Sequence, residues 1–361
     1  MRKTQFHQLL VREVRQETAD SISVSFEVPE KLREAYRFVP GQFLTLRGQI
    51  HGEELRRSYS VCSGSPDYES GTELRVAIKR VAGGRFSNWA NDTLSPGERI
   101  DVMPPDGRFH VPLDAGRRKH HVGFAGGSGI TPLLSLIKST LAIEQKSEFT
   151  LIYGNRTVAS IMFLEELEEL KNRYMDRLRL HHVLSDEGHE IELLHGPLNE
   201  SKCAQLIQAL GLSGTIDEAF ICGPEPMMLG AEKALLAAGV EAKKIHVERF
   251  GVSPASQVLP PPVAEDSRSA EVAIVIDGKQ RRLKVPFDGQ AILDAGLAIG
   301  ADLPYACKAG VCCTCRARVL EGEVRMDKNY TLEQAEMQRG FVLTCQSHPV
   351  SERVVLSYDE R

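Results

Sequence analysis

Four cysteines, Cys307, Cys312, Cys315 and Cys345, are spaced C-x4-C-x2-C, with the fourth after 29 intervening residues. No other feature constrains the fold as much, because three ligands must leave one tight loop and meet a fourth from a distant strand. This is the spacing that holds a plant-type [2Fe–2S] cluster, and the small, flexible residues of 307–315 suit such a loop. Structural zinc is the competing reading, although zinc cysteines usually come as two close pairs. A disulfide framework is disfavoured, since Met1-Arg-Lys-Thr-Gln-Phe-His carries no apolar secretory stretch. The thiols are therefore expected to be reduced, in the cytoplasm. Cys313 lies inside the loop but out of register, and reads as a loop residue.

A length of 361 residues allows two or three domains, each with its own core. A formal charge of −5 argues against nucleic acid as a partner, and no apolar run approaches the length of a membrane span. From Glu271 onward, 12 basic and 13 acidic residues leave the last domain nearly neutral, so charge gives no docking argument there.

Residues 251–270 are rich in proline and small polar residues and read as a linker. Beyond it, Glu271–Ile276 and Arg281–Val285 alternate around Asp277-Gly278, a hairpin signal. Gln290–Ile299 reads as a helix stopped by Gly300, and Thr331–Gln334 as a capping box for a short helix ending near Gly340. Strands are expected near Arg316–Leu320 and Val354–Tyr358, giving a small α+β domain, with Cys345 on a strand.

Upstream, an apolar strand from His121 enters Gly126-Gly127-Ser128-Gly129 and then a helix with Thr131 as cap and Pro132 in its first turn. Glycines admit a close pyrophosphate, and unpaired helix N–H groups favour its charge. A turn with only a packing role is the alternative. Strand patterns at Phe149–Tyr153, Leu178–Leu184 and Ala219–Cys222, separated by helices, give an alternating α/β domain. Ligands gather at the carboxyl ends of such strands, which brings Gly126–Thr131, Arg156, Ser185 and 222–228 to one edge. His120-His121 and His181-His182 are neighbours that point to opposite faces, so neither pair shares a metal.

Alternation at Ile22–Val28, Phe43–Arg47, Glu73–Arg80 and Arg99–Val102 implies an antiparallel barrel before residue 114. Within it, Arg57-Ser58-Tyr59-Ser60 combines an anion clamp, a stacking ring and hydroxyls. Gly84-Arg85-Phe86-Ser87 opens a helix suited to a second pyrophosphate. Two such sites suggest a flavin and a nicotinamide. No paired carboxylate–histidine helices of the di-iron type are present, so oxygen chemistry belongs to another protein.

These motifs, in this order with Tyr153-Gly154-Asn155-Arg156 and Cys222-Gly223-Pro224, resemble the ferredoxin–NADP reductase superfamily. With a C-terminal ferredoxin module, and with 329–333 and 341–346 as they stand, the chain is most similar to the reductases that serve phenylacetyl-CoA epoxidases. Related oxygenase reductases stand close behind. The resemblance implies a flavin β-barrel over 1–114, an α/β NAD(P) domain over 115–250, the linker 251–270, and a β-grasp ferredoxin domain over 271–361. It implies FAD near Arg57, Ser58, Tyr59, Ser60, Gly84, Arg85, Phe86 and Ser87, and NAD(P)H across Gly126, Gly127, Ser128, Gly129 and Thr131. Arg156, Ser185, Asp186, Gly223, Pro224 and Met227 complete the nucleotide site. Ser60 would lie by flavin N5, Cys222 by the nicotinamide C4, Glu248 would relay a proton and Phe250 cover the flavin. Asp186 stands where NADP-using relatives carry arginine, so NADH and NADPH both remain open.

The implied reaction is electron transfer from NAD(P)H through FAD and the cluster to a multicomponent oxygenase, the di-iron phenylacetyl-CoA 1,2-epoxidase of phenylacetate degradation. A different acceptor, such as a ring-hydroxylating oxygenase or a hybrid-cluster protein, and a colourless zinc-bearing binding module are the alternatives.

Overall fold

The computed structural model describes residues 5–71, 73–188, 190–250 and 268–360, and the chain separates into two compact units, 1–250 and 251–361. Most of the expected linker, 251–267, lies outside the described residues, and its last two residues, Ser269 and Ala270, already belong to a strand.

The first part of the larger unit holds six strands: β1 (His7–Thr18), β2 (Ser21–Glu27), β3 (Phe43–Ile50), β4 (Glu53–Ser60), β5 (Arg75–Lys79) and β6 (Arg99–Asp106). They form one antiparallel sheet in the order β4-β3-β6-β1-β2-β5. A bridge between Val61 and Val76, with Cys62 N–H donating to the Arg75 carbonyl at 2.9 Å, joins the two outer strands and closes the barrel. Leu9, Val11, Val24, Leu44, Leu46 and Ile78 fill it. Helix α1 (Ser65–Glu69) follows β4, and α2 (Arg85–Thr93) packs Phe86 and Ala90 into the same core.

Alternation alone passes over β1, whose stretch Arg12–Thr18 is mostly polar. Two register shifts, at Val11/Glu13 and Gln16/Thr18, break its period of two.

Five parallel strands follow: β7 (His120–Gly126), β8 (Glu148–Asn155), β9 (Leu178–Leu184), β10 (Glu218–Cys222) and β11 (Ile245–Glu248), in the order β11-β10-β7-β8-β9. Helices α3 (Ile130–Ile143) and α4 (Leu164–Arg173) bury Leu133, Ile137 and Leu167 on one face. Helices α5 (Glu200–Ala209) and α6 (Glu225–Ala237) bury Leu206, Ile207 and Leu235 on the other. With both faces covered, the strands are near-continuous apolar runs, which is why they are legible in sequence. The His120-His121 pair sits on the central strand rather than an edge. There His121 is buried, stacks on Phe149 and meets Glu144 at 3.2 Å.

The smaller unit comprises β12 (Ser269–Ile276), β13 (Lys279–Pro286), α7 (Ile292–Ala298), β14 (Arg316–Glu321), β15 (Val324–Met326), α8 (Gln334–Gln338), β16 (Phe341–Leu343), β17 (Ser347–Pro349) and β18 (Arg353–Ser357). The main sheet runs β13-β12-β18-β14-β16, with β15 and β17 a separate ribbon. Asp277 and Gly278 both have positive φ, 55° and 69°, as a two-residue hairpin turn with right-handed twist requires. The expected capping box at Thr331 does not form. The Asn329 side chain accepts from the Thr331 and Leu332 N–H groups, holding the chain in a turn, and the helix starts after Glu333, whose N–H donates to Glu336 at 3.1 Å.

Candidate functional site

The carboxyl ends of β7, β8, β9 and β10 open onto a cleft of about 430 Å³ lined by Gly126, Gly127, Gly154, Asn155, Arg156, Ser185, Pro224 and Met227. Strand β7 ends at Gly126, a 3-10 turn spans Gly127–Gly129, and α3 begins at Ile130. The turn packs tightly against β10: a Cβ at Gly129 would stand 2.0 Å from the Cys222 carbonyl oxygen. Gly127 adopts φ +52° with open space beside it, and its carbonyl accepts from the Tyr153 hydroxyl at 2.9 Å. Thr131 is not the cap. It lies within α3, buried, and its hydroxyl donates to the Ser128 carbonyl at 3.0 Å. The helix has no side-chain cap, but Ile130 N–H donates to the Gly127 and Ser128 carbonyls and Pro132 has no N–H, so the open side of the glycine turn at Gly127 is what can meet an anion.

Ser185 and Asp186 continue beyond β9, their N–H groups donating to the carbonyls of Asn155 and Arg156 at 2.9 Å each. The Ser185 hydroxyl donates to Asp186 at 2.6 Å. A carboxylate and a guanidinium thus belong to neighbouring strand ends at the cleft. Cys222 is fully buried and opposite Glu248 in register. Burial, with the nearby Glu248 charge adding to it, pushes its thiol well above the ordinary range. It is a neutral group, unsuited to nucleophilic attack. Gly223 packs back onto Gly126, Met227 lies beneath that glycine, and Phe250 is half exposed at the end of the unit.

On the barrel, Arg57 is exposed and donates to the Arg56 carbonyl at 2.7 Å, while Ser58 lies 3.4 Å from Thr45 Oγ1 and Ser60 is buried. Tyr59 packs on Phe86 with centroids 5.8 Å apart, and Phe86 meets Trp89 edge-on at 5.3 Å. The expected Gly84–Ser87 site is therefore a backbone site. Phe86 is 1% exposed and belongs to the core. Ser87 Oγ accepts from Val81 N–H at 3.1 Å, and Arg85 pairs with Glu53 at 2.5 Å. What remains for a pyrophosphate is the first turn of α2, which Gly84 begins without a side-chain cap.

In the smaller unit the ligand loop needs three residues in the left-handed region: Lys308 at +51°, Gly310 at +77° and Cys313 at +55°. Backbone and side-chain donors face the thiols: Ala309 N–H donates to Cys307 Sγ at 3.3 Å, and Gln346 Nε2 lies 3.7 Å from Cys345 Sγ. Among the described residues, no three histidine, cysteine or carboxylate groups converge on a single-ion site. The hydrogen bond from Cys312, with N–H groups of Ala309, Val311 and Cys312, pulls Cys307 down to about 6.

Cys345 does not lie on a strand. It occupies the turn Thr344–Gln346 just after β16, and the Thr344 hydroxyl donates to the Cys315 carbonyl at 2.9 Å, tying the two together. The out-of-register Cys313 points to Thr331 Oγ1 at 2.9 Å.

Family models match three consecutive stretches: an oxidoreductase FAD-binding domain over residues 8–111, an oxidoreductase NAD-binding domain over 124–233, and a 2Fe-2S iron-sulfur cluster binding domain over 274–350. The chain is 46% identical to a subunit of the 1,2-phenylacetyl-CoA epoxidase of Escherichia coli (strain K12), over 99% of each chain. It belongs to the oxygenase reductase family. The ferredoxin reductase component of 3-ketosteroid-9-alpha-monooxygenase from Mycolicibacterium smegmatis is 38% identical over 98% of this chain and 97% of its own. Phthalate dioxygenase reductase shares the fold, with a TM-score of 0.59 at 24% identity and 98% of each chain covered.

This oxygenase reductase thus has domains for FAD, a nicotinamide nucleotide and a [2Fe–2S] cluster, and the uncapped first turn of α2, the glycine turn before α3 and the four thiols fit those groups. Sequence reasoning missed Lys79, which lines the cleft from β5 of the barrel, and the cleft wall at Gly196–Asn199. Lys79 carries no local signal, because only the packing of barrel against parallel sheet brings it there. Gly196-Pro197 is a turn dipeptide and was a readable cue.

Proposed function

We propose that this chain is the electron-supplying component of a phenylacetyl-CoA epoxidase, taking hydride equivalents from NAD(P)H and passing single electrons to a separate di-iron oxygenase. The observation that carries this reading is the 46% identity to a component of that enzyme over 99% of both chains. Bound FAD supplies the step between two-electron and one-electron chemistry, which neither a nicotinamide nor a cluster performs alone. The protein's contribution is placement. Arg57 and the first turn of α2 hold the phosphate-bearing flavin, with Tyr59 and Ser60 toward its ring. The turn 126–131 holds the nicotinamide nucleotide, with Arg156, Ser185 and Asp186 toward its adenosine end. Cys222, neutral and buried, packs against the nicotinamide, Glu248 stands next to it as a proton relay, and Phe250 covers the flavin. Cys307, Cys312, Cys315 and Cys345 hold the cluster.

Domain limits at 114 and 250, a last domain that begins with β12 at Ser269, and a cytoplasmic location complete the reading. Among the described residues no helix is long and apolar enough to cross a membrane. A hydroxylating oxygenase is the second reading, favoured by the 38% identity to the ketosteroid monooxygenase component. Reconstitution with the oxygenase proteins of each system separates them. NAD(P)H-dependent loss of phenylacetyl-CoA is the expected result, and turnover only with the steroid system would reverse the assignment.

A further inference from the structure

Arg75 begins β5, and its carbonyl accepts from Cys62 N–H, two residues past Ser60. Its side chain, 4% exposed, leaves the barrel altogether. Nη2 meets both oxygens of Glu166 on α4, at 2.8 and 2.6 Å, and the guanidinium lies over the Phe163 ring at 5.2 Å. Lys138, on the helix that starts at the nucleotide turn, grips the same carboxylate and reaches back to Asp67 of α1 at 4.0 Å. Beside it, Ser65 N–H donates to Ser139 Oγ at 3.0 Å. One cluster of charges therefore ties a strand of the candidate flavin segment, β5, to α4 and to the helix α3 that follows the candidate nicotinamide turn.

Apolar residues of similar size would hold two such faces together as well, since buried ion pairs seldom gain net stability over hydrophobic replacements. What the charges add is direction: one guanidinium nitrogen held between both carboxylate oxygens, with the Lys138 ammonium on the same carboxylate, fixes the approach of the two faces. Hydride transfer depends steeply on placement, and an error of about 1 Å can cost about a hundredfold in rate.

We propose that Arg75, Glu166 and Lys138 form a clasp that sets the approach of the nicotinamide subsite to the flavin subsite, and are positioning residues for hydride transfer. This rests on the function proposed above. The test is anaerobic stopped-flow reduction of the bound flavin in the full-length holoprotein by NADH and NADPH, protiated and deuterated at the transferred C4 position. Glu166→Gln removes the charge at constant volume, and Arg75→Lys keeps the charge but shortens the reach to Glu166.

Both are expected to lower the limiting flavin-reduction rate by about tenfold or more and to raise the isotope effect, with FAD and iron content unchanged. Either variant reducing its flavin at the unaltered rate, with only its melting temperature lowered, would overturn the clasp alone. Unaltered protein whose flavin stays oxidised with both nucleotides would overturn the underlying function as well.

Discussion

Arg156 and Asp186 pull the choice of nucleotide in opposite directions from neighbouring strand ends. The guanidinium suits a 2′-phosphate, and the carboxylate, braced by the Ser185 hydroxyl, repels one and suits a ribose hydroxyl. Asp186→Arg is therefore expected to shift the ratio of kcat/KM for NADPH over NADH upward by about tenfold, an energy of about 1.4 kcal/mol. An unchanged ratio in steady-state assays would show that the position does not contact the adenosine end. At Cys222 burial keeps the thiol neutral, so its contribution is shape rather than nucleophilicity. Cys222→Ser should retain FAD and slow flavin reduction by about tenfold. A wild-type rate in stopped flow would remove Cys222 from the hydride path. The places of Asp186, just past β9, and of Cys222, at the end of β10, were readable because apolar strands mark where ligands of parallel sheets gather. The internal employment of Phe86, Ser87 and Thr131 was not, since whether a side chain serves ligand or fold depends on packing that spacing does not record.

Among the elements, the join of β7 to α3 tolerates little. Gly129 packs on the β10 carbonyl, so Gly129→Ala must push the turn off the sheet. Overpacking of this kind costs about 1–3 kcal/mol. The urea midpoint of the variant should fall, and nucleotide affinity with it. A variant with unchanged midpoint and NADH affinity would show that the turn is softer than the packing implies. The parallel strands and the Asp277-Gly278 hairpin were legible because a single local rule governs each. Strand β1 was hidden by its bulges and polar residues, and the start of α8 was displaced by Asn329, whose side chain offers the backbone an alternative to helix.

Across the larger unit, burial lowers the pKa of six histidines, His7, His110, His120, His121, His181 and His182. An unfolded chain binds protons at these positions near pH 6.5, where the folded chain does not. Stability from them is present above that pH and is lost as pH falls below it. Thermal unfolding should shift downward between pH 7.5 and about 5.5. A constant or rising transition temperature over that range would contradict the sign. The three-part order of barrel, parallel sheet and cysteine-bearing unit was visible from the motifs, whereas the Arg75–Glu166–Lys138 contact was not, because it joins residues far apart in sequence. The central claim is that hydride equivalents enter the larger unit and leave as single electrons through the four thiols of the smaller one. It is tested most directly by anaerobic addition of NAD(P)H to the unaltered protein and to Cys345→Ser, following flavin absorbance, the paramagnetic signal of the reduced cluster and delivery to the oxygenase. The account predicts flavin bleaching in both, with the cluster signal and delivery only in the unaltered protein; delivery at the same rate by Cys345→Ser would contradict it.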